Sequence, residues 1–172
     1  MVMRSLISRR EQETTFHPVV LVLVPVFALF FQTYVPHIFP LLALLDMPLL
    51  VVIYFAIMLR GPIEGTLTGM VIGLVQDAQT SHPIGVNGMA KSIIGYAAAS
   101  IGVRIDVENS ITRLLLTGVF SLANSVLIYL IERRLLGFEM QWLWLHELAR
   151  MLANAVVAVG FFWILDRLRR RR

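Results

Sequence analysis

The segment RGPIEGTLTGMVIGLVQD, residues 60–77, decides the fold because it places Gly61, Gly65, Gly69 and Gly73 at intervals of four. On an α-helix this spacing stacks the four glycines, here called the glycine strip, on one face where another backbone can approach closely. In water each glycine would weaken the helix by about 1 kcal/mol. In lipid, small residues at this spacing are a common means of helix association. The strip therefore predicts a membrane protein that depends on helix–helix contact.

The composition also indicates a membrane protein. Of the 172 residues, 58% are hydrophobic and 15% are charged, whereas about a quarter of a soluble domain is charged. Between Val19 and Leu59 the only formally charged side chain is Asp46. Cysteine is absent, which excludes a disulfide framework, a thiolate metal site and a cysteine nucleophile. A chain of this length has room for one domain, so we expect residues 1–172 to form a single integral membrane domain.

Hydropathy predicts six spans, and hence an all-α fold, a six-helix transmembrane bundle. The third and fourth spans are short, with about 14 and 17 residues, or roughly 21 and 25 Å. The approximate predicted spans are Pro18–Val35, Leu41–Leu59, Pro62–Val75, Asn87–Val103, Ile111–Ile131 and Leu148–Leu165.

The distribution of basic residues predicts the orientation of the bundle. With six spans, eleven of the fifteen basic residues lie on the same side as the N-terminus. The positive-inside rule places that side in the cytoplasm. We therefore expect residues 1–17 to form a cytoplasmic N-terminal segment and residues 166–172 a basic cytoplasmic tail. The turn at 76–86 and the segment 132–150 are then outside.

Two groups of residues are expected at the lipid interface. Trp142 and Trp144 stand among charged residues in an amphipathic segment, and Trp favours the headgroup level. The basic tail directly follows a span, so it is expected to bind anionic headgroups rather than RNA. Its terminal residues are Arg169, Arg170, Arg171 and Arg172.

Four polar residues near the predicted outer ends of spans two to four are candidates for helix capping, ion pairing or binding. Asn87 is expected to be the N-cap of span four, and Lys91 lies one turn further on. Asp77 and Lys91 are expected to form an ion pair across the turn, with a partner contact or a ligand site as alternatives. Asp46 precedes Pro48, and an acidic residue just before a proline is typical of a helix start, so we expect Asp46 to stabilise a helix N-terminus.

No feature of the sequence indicates catalysis. The chain has no hydrolase, metalloprotease or phosphate-loop motif and no paired carboxylates within a span. The four histidines are not spaced as ligands on one helix, so neither a metal nor another cofactor is predicted. They are His17, His37, His82 and His146.

The motif that begins at Arg60 is similar to that of a known family. The order is Arg60-Gly61-Pro62, then Gly65, Gly69, Gly73-Leu74 and Gln76-Asp77, followed by Ser81-His82-Pro83-Ile84-Gly85-Val86-Asn87 and by Gly95-Tyr96. This combination resembles the rod-shape-determining MreD family, most clearly over about residues 48–104. That family in turn resembles the six-span S components of energy-coupling-factor transporters.

The resemblance implies a non-enzymatic scaffold of the bacterial cell elongation machinery in the inner membrane. It implies binding to the single-span protein MreC, with indirect links to the MreB filament, RodA and a class B penicillin-binding protein. The role would be to maintain rod cell shape and guide side-wall peptidoglycan synthesis, without nucleic acid. The residues expected to bind the partner are Gly61, Gly65, Gly69, Gly73, Asp77, Pro83, Gly85 and Asn87.

Two alternatives stay open at this point. The glycine strip is expected to receive the partner's transmembrane helix, but it could instead pack against another span of the same chain. The chain could also be the substrate-binding membrane component of a vitamin-type transporter. A solute pocket needs several converging polar side chains, and spans five and six offer only Asn124, Ser125 and Asn154.

Overall fold

Six α-helices and one short 3-10 helix make up most of the chain that the structure, a computed structural model, describes. The described residues are 17–80, 83–105, 109–139 and 142–168, and they contain no β-strand. The all-α prediction is therefore confirmed for these ranges. In chain order the elements are α1 (Pro18–Ile38), the 3-10 helix (Pro40–Leu44), α2 (Met47–Leu59), α3 (Pro62–Gln79), α4 (Val86–Gly102), α5 (Ser110–Arg134) and α6 (Trp144–Leu168).

The helix starts follow from local chemistry. Helices α1, α2 and α3 each have proline in the first two positions, where its missing N–H costs no hydrogen bond. Asp46 Oδ1 accepts from the backbone N–H of Leu49 at 3.0 Å, so the helix-start interpretation of Asp46 is confirmed. Asn109 Oδ1 caps α5 by accepting from the backbone N–H of Ile111 at 2.9 Å.

Several observed helix ends differ from the predicted ones, and α1 and α6 each end three residues later than predicted. The 3-10 helix occupies the predicted start of span two, so α2 begins only at Met47. Helix α3 continues to Gln79 and has 18 residues, which makes it longer than predicted. Helix α5 continues to Arg134 and α6 begins at Trp144, so much of the predicted interfacial segment 132–150 belongs to these two helices.

Three of these helices are long and apolar enough to cross a membrane, judged by length and composition. They are α1, α5 and α6, with 21, 25 and 25 residues. Helix α2 is apolar but has only 13 residues. The arrangement of six spans therefore stays a prediction, while the apolar helices agree with a membrane protein.

Helix α2 is the centre of the bundle. Every residue from Met47 to Met58 is buried, because α2 is apolar on all sides and packs against α1, α3 and α4, with further contacts to α5 and α6. Helix α1 is also rich in apolar residues but lies at the periphery. Only Ala28 and Leu29 are buried there, and large side chains such as Phe27 are exposed.

The glycine strip forms the contact between α3 and α4, the most extensive helix pair of the bundle. Gly65, Gly69 and Gly73 are buried, and the backbone of α4 lies directly over each of them. A Cβ atom added to them would lie 2.5 Å from Gly95 O, 2.0 Å from Lys91 O and 2.4 Å from Asn87 O, respectively. Only glycine permits this approach of two backbones.

This packing corrects the expectation that the glycine strip receives a partner's helix. The face of α3 that carries Gly65, Gly69 and Gly73 is already covered by α4 of the same chain. Gly61 is half-buried and is the N-cap of α3. The structure therefore contains the other alternative, in which the glycine strip packs against a helix of the same chain. A bundle of short helices needs such close helix–helix contacts within itself.

Candidate functional site

The Asp77 carboxylate caps the N-terminus of the neighbouring helix α4. Asp77 lies near the end of α3 and is 1% exposed. Its Oδ2 accepts from the backbone N–H groups of Gly85 at 2.9 Å and Gly88 at 3.2 Å, and its Oδ1 accepts from the backbone N–H of Asn87 at 3.1 Å. These N–H groups have no partner inside the helix, and a helix N-terminus favours negative charge. Asp77 thus fixes the α3–α4 turn from the side.

The predicted N-cap role of Asn87 is wrong. Gly85 is the N-cap of α4, with a φ of 107° that suits glycine, and half-buried Pro83 precedes it in the turn. Asn87 lies inside the first turn of the helix. Its Nδ2 donates to Asp77 Oδ1 at 2.9 Å, and its Oδ1 accepts from Lys91 Nζ at 2.9 Å. Asn87 therefore joins two charged residues that do not form an ion pair with each other.

The ion partner of Lys91 is Asp46, not Asp77 as predicted. Lys91 is completely buried, and its Nζ lies 2.9 Å from Asp46 Oδ2. The backbone N–H of Asp46 in turn donates to Asn154 Oδ1 at 2.9 Å, and Asn154 Nδ2 donates to Ser121 Oγ at 2.9 Å. A buried ammonium needs this kind of pairing, because removing a charge from water is costly. The network connects α2, α4, α5 and α6 at what we call the Asp46 end of the bundle.

A cavity of about 410 Å³ opens beside this network. The sequence offered too few polar candidates for a pocket because they come from six separate elements, and of Asn124, Ser125 and Asn154 only Ser125 lines it. The polar and aromatic residues of its wall include Gln32, Asp46, Gln76, Asn87, Tyr129, Glu132, Trp142, His146, Glu147 and Arg150.

The two tryptophans predicted at the interface differ in exposure. Trp142 is half-buried, lines the cavity and packs edge-on against Tyr129, with ring centroids 5.0 Å apart. Trp144 is 69% exposed and contacts the Trp142 ring. Exposure on an apolar helix end suits a position at the membrane interface. The tail residues Arg169, Arg170, Arg171 and Arg172 lie outside the described residues.

A second ionic cluster lies at the opposite end, here called the Arg113 end. Arg113 at the start of α5 donates to Asp166 Oδ2 at 2.5 Å, and the Tyr54 hydroxyl donates to Asp166 Oδ1 at 3.0 Å. The cluster joins α2, α5 and α6. Sequence reasoning missed it, because Arg113 and Asp166 are 53 residues apart and neither belongs to a motif.

An apolar groove runs along the outside of the bundle between α1 and α3. Its volume is about 430 Å³, and among the described residues Thr68 is the only polar one of its wall. The groove lies on the side of α3 that faces away from α4. Its lining residues are Leu21, Val22, Pro25, Val26, Leu29, Leu67, Thr68, Val71, Ile72 and Val75.

Comparison with known protein families identifies the chain. The family model of the rod shape-determining protein MreD matches residues 12–171, nearly the whole sequence. The chain belongs to the MreD family. Comparisons with curated proteins and with solved structures found no significant match.

Membership in the MreD family indicates where this bundle acts and in which process. The chain is a membrane protein with a role in determining rod cell shape. MreD proteins are structural components of shape determination. Polar side chains of the described residues join several of its helices, for example Asp77 to Asn87 and Lys91 to Asp46.

Proposed function

We propose that this MreD-family protein is a non-enzymatic scaffold of the inner membrane that binds the single transmembrane helix of an MreC-like partner. The match over residues 12–171 is the observation that carries the proposal. The scaffold has six spans with both termini in the cytoplasm, so the Asp46 end faces outward. Through the partner it connects the MreB filament with RodA and a class B penicillin-binding protein, and so helps guide side-wall peptidoglycan synthesis.

The docking face we propose is the apolar groove between α1 and α3. Helix association in lipid depends on van der Waals contact and shape, since apolar side chains gain little by leaving lipid. A groove of this kind accepts an apolar helix along its length, as in other helix-in-groove complexes. The groove also includes the face of α3 opposite the glycine strip, so a partner bound there leaves the α3–α4 contact intact.

Filling the groove tests this assignment. Val71 lies in the groove and is 56% exposed, whereas Val156 on α6 is 65% exposed and lies outside the groove. We expect Val71→Trp to abolish co-purification of the MreC-like partner from a rod-shaped host and to produce rounded cells. Val156→Trp is the matched control, since it adds the same bulk to another exposed valine.

The melting temperature in detergent separates docking from folding. Both variants should melt like the wild type without the partner, because both valines are exposed in the isolated chain. Normal partner recovery with Val71→Trp would exclude the groove as the docking face. Equal loss of the partner with Val156→Trp would show that the effect of Val71→Trp is not specific to the groove.

A further inference from the structure

Arg60 has a backbone conformation that glycine adopts more readily. It is the C-cap of α2, with a φ of 57°, and among the described residues it is the only non-glycine residue with a positive φ. Its backbone N–H donates to Ala56 O at 3.2 Å, so this conformation ends the helix. A glycine would adopt it without steric cost, whereas an arginine is strained there. Strained residues cluster at functional sites, so the Arg60 side chain is a candidate for binding.

A second arginine lies at the same end of the bundle, the Arg113 end. Helices α2 and α4 pack against each other and run in the same direction, since α3 runs back between them in the chain. Near their ends a Cβ atom on Gly102 would lie 2.9 Å from Ile57 O. Arg60 follows Ile57 by three residues, and Arg104 follows Gly102 by two. Both arginines are exposed, so two guanidinium groups stand where α2 and α4 end together.

The charge balance of this end favours an anion. The stretches of sequence at this end, 1–16, 60–64, 104–113 and 166–172, contain eleven arginines and six carboxylates. Four of these arginines and two of these carboxylates belong to the described residues. One of the two, Glu64, lies over Gly61 at the start of α3, where negative charge stabilises the helix N-terminus. The positive excess therefore holds for the described part and for the whole of these stretches.

Two of the four described arginines are already engaged in the fold. Arg113 pairs with Asp166, and Arg167 stacks on a tryptophan ring, with its guanidinium carbon 3.6 Å from the ring centroid. The other two, Arg60 and Arg104, form no ion pair with a carboxylate among the described residues. Their guanidinium groups are therefore the ones that can bind an external anion.

The surface around these two arginines is apolar. Ile63 in the first turn of α3 is 73% exposed, and Val103 and Ile105, which flank Arg104, are 60% and 42% exposed. In a membrane protein such side chains contact acyl chains, while a nearby guanidinium group reaches the headgroup level. A phospholipid offers a phosphate and acyl chains in one molecule, so it matches both parts of this surface.

We propose that Arg60 and Arg104 form a binding site for an anionic phospholipid. Their guanidinium groups donate charge-assisted hydrogen bonds to the phosphate, and Ile63, Val103 and Ile105 contact the acyl chains. In the proposed topology this end faces the cytoplasm, and the anionic lipids of that leaflet attract basic residues. Neither arginine lines the docking groove, so the proposal does not depend on the partner.

Native mass spectrometry of the full chain tests the site. The protein is purified in detergent and titrated with phosphatidylglycerol or, for comparison, with zwitterionic phosphatidylcholine, and the retained lipids are counted. We expect the wild type to retain phosphatidylglycerol at lower lipid concentration than phosphatidylcholine. Arg60→Gln should raise the phosphatidylglycerol concentration needed for half-maximal retention of the first lipid roughly fivefold, because one of two cations at the phosphate is lost.

Arg134→Gln is the matched control for the loss of charge. Arg134 is also an exposed arginine, but it lies at the end of α5, at the opposite end of the bundle. Arg134→Gln should retain phosphatidylglycerol like the wild type. Equal retention by the wild type and Arg60→Gln would overturn the proposal, and so would an equal loss with Arg134→Gln.

Arg60→Gly and Arg60→Lys separate lipid binding from folding. Arg60→Gly removes the charge and also the backbone strain, so without lipid it should melt in detergent at or above the wild-type temperature. Phosphatidylglycerol should raise the melting temperature of the wild type and of Arg60→Lys, which keeps the charge, by more than that of Arg60→Gly. An Arg60→Gly protein that melts well below the wild type without lipid would assign Arg60 to the fold and overturn the proposal.

Inorganic phosphate distinguishes a free anion from a lipid. It carries the charge of the headgroup but has no acyl chain for the apolar part of the surface. An excess of inorganic phosphate should therefore leave the retention of phosphatidylglycerol by the wild type unchanged. Displacement of the lipid by phosphate alone would show that the site takes a free anion, and it would overturn the assignment to a phospholipid.

Discussion

At the scale of single residues, Lys91 shows how this bundle tolerates a charge in its interior. The ammonium group is fully buried, yet it reaches Asp46 Oδ2 and Asn87 Oδ1, both at 2.9 Å. Asp46 in turn caps α2, and Asn87 is held by Asp77. Each of these side chains completes the hydrogen bonding of another. Loss of one member therefore leaves buried polar atoms without partners, which costs more than the ion pair itself contributes.

A double-mutant cycle tests the Lys91–Asp46 pair. Lys91→Met should lower the free energy of unfolding by about 3 kcal/mol, because the Asp46 carboxylate loses its counter-charge. Adding Asp46→Asn should cost less than the sum of the two single changes, with a coupling of about 1–3 kcal/mol. The measurement is unfolding of the purified protein in detergent. As a control, Lys91→Met and Asp166→Asn lie at opposite ends of the bundle and should be additive. Additive losses for the first pair would contradict the contact.

At the scale of elements, the close contact between α3 and α4 depends on glycines, which have no side chain. At Gly65, Gly69 and Gly73 the contact face of α3 carries no side chain, so the α4 backbone packs directly on the α3 backbone there. The carboxylate of Asp77 then fixes the turn that joins the two helices. In lipid such an interface compensates for the low helix propensity of glycine by close packing. The strip is therefore part of the fold of this chain.

Alanine at one position of the strip tests this role. A Cβ atom at residue 69 would lie 2.0 Å from Lys91 O, so Gly69→Ala must push α3 and α4 apart. We expect the isolated protein to lose about 2 kcal/mol or more of stability. Gly160→Ala is the control, because a Cβ atom there meets nothing within 4 Å, and it should stabilise the helix by up to about 1 kcal/mol. A Gly69→Ala protein as stable as the wild type would contradict the observed packing.

At the scale of the whole molecule, polar clusters close the bundle at both ends around an apolar centre. The Asp46 end joins α2, α3 and α4 with α5 and α6, and the Arg113 end joins α2 with α5 and α6. Helix α2 lies between them, buried over nearly its full length. Successive helices alternate in direction between these ends, as the proposed six-span arrangement requires. The orientation of the bundle stays a prediction, made from the distribution of the basic residues.

Labelling of single cysteines tests that orientation, and the absence of native cysteine makes the test direct. Ile84 is 79% exposed in the α3–α4 turn, and Ser110 is exposed at the start of α5. In the proposed topology the Asp46 end faces outward, so Ile84→Cys should react with an impermeant maleimide in intact cells. Ser110→Cys should react only after lysis. The reverse pattern would invert the proposed topology.

Local features of the fold were readable from the sequence because they depend on neighbours a few residues apart. Hydropathy, proline at helix starts and the cap at Asp46 predicted the helical class and most helix positions. The four-residue spacing of the glycines predicted a close helix contact. The motif from Arg60 to Tyr96 indicated the family. These patterns act over one or two helical turns, and that is the distance over which periodicity and capping are determined.

Only the tertiary structure decided which surfaces meet. Helices α1 and α2 are both strongly apolar, so composition did not distinguish the peripheral helix from the central one. Lys91 pairs with Asp46, 45 residues away, rather than with the nearer Asp77, because the rotation of α4 about its axis directs the side chain toward α2. The glycine strip meets α4, and the cavity collects residues from six elements. Such pairings depend on how helices rotate and cross, which is set by the packing of the complete bundle and not by any one segment.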